Sequence, residues 1–292
     1  MARNLDRLLR DYIAPPPGMP LVDFAAPAGA PALFMPDSVS WRVMKNPVAL
    51  VVGGLAAVIL ELAEPRVRTG VWEHTTFRRD PETRMRRTGF AAWMTIYAPE
   101  DTARRMIAGV TRAHDRIEGR TPDSVAYRAS DPELLTWVHA TAAYGFSEAY
   151  SRYVRALSAD EMDCFYAEGA PVAALYGADT PPSSRAALDA IFTTMAPKIE
   201  ASDIVFEFFK IVRAVPILPV KAVQRLMVRG AVSMTPDWAR ETLGLDRTFG
   251  LRAGEHTLLR AMGAAAERFV IEDAPPAQAC KRMGLPASYL YR

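Results

Sequence analysis

The sequence predicts an all-α protein: one multi-helix domain over residues 41–292, preceded by an irregular arm over residues 1–40. Three observations carry this. From Trp41 onward the apolar residues recur at helical spacing. Helix-start signals are frequent. No series of alternating strands with turn dipeptides appears, and no repeat of 20–50 residues is visible.

The arm, with "APPPGMPLVDFAAPAGAPALFMPDS", holds too many Pro and Gly residues for long elements. "VALVVGGLAAVIL", residues 48–60, then reads as a helix buried among other helices. It is shorter than the roughly 20 residues needed to cross a bilayer. A helix near 47–63 is expected there. Pro99-Glu100-Asp101 puts negative charge at the positive end of a helix expected near 101–118. Asp131-Pro132 combines a cap residue with proline at the first helical position, opening a helix near 132–156. Ser158 and Glu161 form a capping-box pattern. Ser183-Ser184 introduces a helix near 183–195, and another is expected near 202–213. Thr235-Pro236 precedes "DWARETLG", and the tail "PPAQACKRMGLPASYLYR" is short and broken.

With 292 residues, half of them hydrophobic, the chain can bury a substantial core. A net charge of +2 argues against polyanion binding as the main function. The two cysteines, Cys164 and Cys280, form no CxxC pair, so a disulfide framework is excluded and a reducing cytoplasm is expected. The N-terminus mixes acids and bases and is not expected to be a signal or transit peptide. The patterns GxGxxG, GxxxxGK[ST] and GxSxG are absent.

Four histidines remain to be placed. Met106, Ile107, Val110 and Ile117 share a helical face with His114 in "VTRAHDRIEG". His139 likewise shares a face with Leu135, Ala142, Ala143 and Phe146. Each is either a core histidine bonded to a carbonyl or a ligand. His74 lies near a turn and His256 at a helix start, so both read as structural or exposed. HExxH is absent, and no Glu stands three residues before a histidine, which disfavours zinc and di-iron centres. Haem needs only one neutral imidazole, an apolar pocket and cations for its propionates. The run "FRRDPETRMRRTG" supplies the cations, with Arg84 and Thr88 one helical turn apart. Read alone, an arginine run of this kind is more often a solvated basic surface.

In their order, "LELAEPRVRTGVWEHTTFRRDPETRMRRT", "VTRAHDRIEG" and "YRASDPELLTWVHATAAYGFSEAYSRYV" resemble the MpaB-type oxygenase family, which includes the latex-clearing proteins. "FYAEGAPVAALYGAD" and "TPDWARETLGLD" resemble its later motifs. The resemblance implies a globin-like all-α core with haem b, acting with O2 on an apolar substrate of the isoprenoid kind. It implies that His114 is the axial ligand and so the metal-binding residue. His139 in Trp137-Val138-His139 would line the same cavity. Arg84, Arg87 and Thr88 would be the catalytic group, stabilising bound oxygen or holding a propionate.

Two positions depart from the family. Ala63-Glu64-Pro65 stands where relatives read Ala-His-Pro, and Arg87 stands where the latex-clearing proteins have a lysine. An arginine cannot deprotonate and so cannot serve as a base. The sequence is therefore read as a haem-dependent oxygenase with no membrane span and no nucleic-acid partner. The alternatives are a non-catalytic haem- or lipid-binding protein, and a helical relative without haem.

Overall fold

The computed structural model describes residues 14–216, 218 and 220–291. The sequence expectation for residues 1–13 of the arm lies outside this range. The described part of the arm, up to Asp37, has no regular element. It is tied down at both ends. Phe24 and Phe34 enter the core. Arg282, 1% exposed, donates to the carbonyls of Phe24 (2.6 Å) and Ala30 (2.9 Å).

The helices follow one another with a recurrent start. α1 spans Val39–Met44, capped by Ser38. α2 (Pro47–Glu61), α3 (Pro65–His74), α4 (Pro81–Tyr97) and α6 (Pro132–Tyr153) each open on proline behind a side chain that accepts backbone N–H bonds. Those caps are Asn46, Glu64, Asp80 and Asp131 respectively. Proline lacks the N–H that would be orphaned at that position, and the cap satisfies the next ones. α5 (Glu100–His114) instead begins at Pro99 with Glu100 and Asp101 in its first turn and no side-chain cap.

α5 ends earlier than the sequence suggested. After His114 the chain turns, with the Ile117 N–H bonding the His114 carbonyl at 3.0 Å. It then enters a short hairpin of β1 (Glu118–Arg120) antiparallel to β2 (Ala126–Arg128), with Gly119 opposite Tyr127. Ile117 thus leaves the helical face of His114 but still packs against the core.

α7 (Ala159–Tyr176) carries the expected capping box. Ser158 Oγ accepts from the Glu161 N–H at 3.1 Å, and Glu161 returns a bond to the Ser158 N–H at 3.0 Å. Ser158→Ala should cost about 1 kcal/mol, read as a lower denaturant midpoint with unchanged helix content. α8 (Arg185–Met195), α9 (Asp203–Ala214), α10 (Lys221–Met234), α11 (Asp237–Thr242), α12 (Glu255–Ala266) and α13 (Pro275–Arg282) complete the chain.

α2 is the central helix. It lies along α6, and α10 and α12 cover it further. Gly53 of α2 meets Gly145 of α6 so closely that a Cβ on Gly53 would stand 2.6 Å from the Gly145 carbonyl oxygen. A second unit is α4 packed on α5, and α7 bridges the two by touching both α5 and α6. Among the described residues no single helix is long and apolar enough to cross a membrane.

Candidate functional site

Between the α2/α6 pair and the α4/α5 pair the helices make no extended contact. The C-terminal half of α4 is held to α1 by Tyr97, whose hydroxyl donates to the Trp41 carbonyl (2.6 Å). Trp93 Nε1 reaches the Met44 carbonyl at 3.3 Å. The N-terminal half of α4, with Arg84 and Thr88, stands across from α2. On α2, Val51, Gly54, Val58 and Glu61 form one helical stripe that stays partly accessible, while Val52, Ala56, Ile59 and Leu60 are buried. On α6 the matching stripe is Leu135, Val138, His139, Ala142 and Phe146. Glu61, Arg84 and His139 lie deep in the protein yet remain partly accessible, as residues lining an internal cleft do.

His139 Nε2 is buried and has no partner. Burial pushes this imidazole down to about 4, so it is neutral at physiological pH. It faces α7 at Gly169, where a Cβ would come within 3.4 Å of Nε2. Two residues on, Pro171 sits inside the helix and cannot donate to the turn before it. His114, the last residue of α5, is half-buried, and its Nδ1 is also buried without a partner. Burial lowers its pKa first, then the positive charge of Arg84, with Asp115 opposing. Both rings are therefore held as neutral imidazoles, the form that binds a metal. Orphaned indole nitrogens occur too, at Trp41 and Trp137. What sets the histidines apart is that an imidazole nitrogen can act as a ligand and an indole N–H cannot.

Arg84 donates to Thr88 Oγ1, and Thr88 Oγ1 bonds the Arg84 carbonyl at 3.0 Å, so the two form a unit as their spacing predicts. Desolvation lowers the Arg84 pKa; Glu61 opposes this and Arg87 adds to it. Arg87 itself engages the arm, its Nε donating to the Pro17 carbonyl at 2.7 Å. Glu64 caps α3 through the Val67 N–H (2.8 Å) and pairs with Arg66 (2.6 Å). Its carboxylate is thus committed to structure. His74 Nε2 meets the Tyr127 hydroxyl at 3.1 Å, and His256 lies 5.6 Å, ring to ring, from Tyr153. Both residues are exposed, in keeping with the expectation that they are structural or exposed.

Sequence reasoning missed Glu61. Burial raises its carboxyl to about 7, with Arg84 and a hydrogen bond from Thr141 acting against the shift. Its only sequence signal is that it is the one acid on an otherwise apolar helix.

Residues 41–268 match the family model described as ER-bound oxygenase mpaB/B'/Rubber oxygenase, catalytic domain. The chain belongs to this family. No curated protein and no solved structure matches it. As an MpaB/rubber-oxygenase catalytic domain, it takes O2 and a substrate. The matched span begins in α1 and ends just beyond α12, so it contains all the cleft helices. No cluster of three or more His, Cys, Asp or Glu side chains suited to a bare metal ion occurs among the described residues. A haem iron needs only one such ligand from the protein.

Proposed function

We propose that this oxygenase-family domain is haem b-dependent and acts with O2 on an apolar, isoprenoid-like substrate in a reducing compartment. One observation carries the reading: imidazole nitrogens without protein partners occur beside a cleft with apolar walls and a deep arginine. That donor set fits haem. Haem, when bound, would supply O2 binding and activation.

The chain's own residues do the rest. His114 would hold the iron, and the aliphatic residues of its face, such as Ile107, would keep water from this imidazole. His139 would line the cleft. Arg84 and Thr88 would offer a cation and a hydroxyl to a propionate or an oxygen-bearing ligand. Val51, Val58 and Phe146 would exclude water from the apolar substrate. Arg87, taken up by the arm, would act on the cleft only through its charge.

A non-catalytic haem- or lipid-binding role on the same scaffold is the second reading. The departures at Glu64 and Arg87 favour it, since both side chains are engaged in structure. The absorption spectrum of the haem-reconstituted protein, followed by O2 uptake with a long-chain alkene, tests both. A Soret band with alkene-dependent uptake is the expected result. A Soret band without uptake supports the second reading, and no Soret band rejects the haem assignment.

A further inference from the structure

The cleft assigned above, on which this inference rests, has a distinct polar end. The accessible stripe of α2 from Val51 to Glu61 runs about 15 Å at a helical rise of about 1.5 Å per residue. It is apolar until it reaches Glu61. Across from Glu61 stands Arg84, and no carboxylate of the described residues lies within ion-pair distance of its guanidinium. A partly buried guanidinium without a counter-ion carries a desolvation cost, and an arriving anion relieves it. The nearest compensation is Glu61, which acts on Arg84 through space.

The other groups whose charge acts on Arg84 or on the adjoining His114 are Arg87 on α4 and Asp115 just beyond α5, while His139 on α6 is held neutral by burial. On α3, Glu64 pairs with Arg66, and Arg68 with Glu200. The Arg229–Glu255 pair joins α10 to the start of α12, away from the Glu61 end of α2. None of these forms an ion pair with Arg84, whose bonded partner is the neutral Thr88 hydroxyl.

We propose that Arg84 anchors the carboxylate of an elongated apolar molecule in this cleft, with Glu61 as the built-in competitor for the guanidinium. While Glu61 is protonated, Arg84 is left to the ligand. Once Glu61 ionises, its carboxylate satisfies Arg84 electrostatically and repels a second anion. Burial places that transition near pH 7. The chemistry suits the carboxylate of a fatty or isoprenoid acid and equally a haem propionate.

The test uses the full-length protein without haem and a fluorescent polyene fatty acid, with its methyl ester as control. Haemin and haemin dimethyl ester form a second arm. Wild-type affinity for the free acid should fall about tenfold or more between pH 6 and 8.5, because the competitor titrates near 7. Glu61→Gln should keep the tight binding at both pH values, and Arg84→Gln should bind acid and ester alike. Circular dichroism checks that both variants fold, and the conservative Arg84→Lys should recover part of the acid preference. The same pH response with haemin but not with the fatty acid identifies the anion as the propionate. A response with the fatty acid and no haemin binding keeps this inference and rejects the haem assignment. Equal, pH-independent binding of acid and ester by wild type, or no binding of either acid, overturns it.

Discussion

His114→Ala is expected to give a folded protein that no longer retains haem. The fold should survive because α5 is anchored by Ala103 and Ile107, both buried, whereas His114 is its last residue and only half-buried. Alanine is also the better helix former, so stability should change by no more than about 1 kcal/mol. Haem affinity should fall by more than the roughly 10–100-fold that follows loss of a supporting partner, since the protein's own bond to iron is removed. His139→Ala should instead shift the spectrum mildly and keep haem bound. Titrating haemin into both variants and comparing Soret intensities decides the matter. Retention of a normal spectrum by His114→Ala, with loss in His139→Ala, would move the axial role to α6. The orphaned nitrogens alone do not separate the rings, because each ring carries one.

The fold was largely legible because its helices announce themselves locally. The Asp131-Pro132 start and the Ser158/Glu161 box are short-range devices, and both form as read. The same cap-then-proline device at Asn46, Glu64 and Asp80 passed unused, although equally local. The hairpin after His114 escaped because three-residue strands are too short to show alternation. The site was legible only where one helix suffices. Arg84 with Thr88, or His139 on its apolar stripe, follows from helical spacing. Glu61 becomes informative only when α4 brings Arg84 opposite α2, a tertiary fact with no trace in local pattern. Arg87 shows the reverse: its place in the motif suggested the cleft, but the arm supplies a carbonyl that takes its guanidinium. Glu64 likewise resembled a changed ligand position in the sequence and proves to be a helix cap.

Gly53→Ala is expected to destabilise the protein clearly, although the change adds only one methyl group. The added Cβ would stand 2.6 Å from the Gly145 carbonyl oxygen and 2.8 Å from the Phe146 Cα, both backbone atoms that cannot rotate away. Relief requires α2 and α6 to separate along the crossing that holds the centre of the core. A small-to-large change of this kind costs about 1–3 kcal/mol, and valine at Gly53 should exceed that range. Gly54→Ala is the control one residue along. Its Cβ would meet only Phe146 Cε1 at 3.8 Å, an ordinary contact on the cleft side. There the helix propensity of alanine over glycine, about 1 kcal/mol, should leave stability unchanged or raised. Denaturant midpoints for the two variants should therefore move in opposite directions, or at least differ by more than 1 kcal/mol in ΔG. Equal midpoints would mean that α2 and α6 do not cross at Gly53 and Gly145. The cleft walls built on that crossing, and the stripe that leads from Val51 to Glu61, would then have to be redrawn.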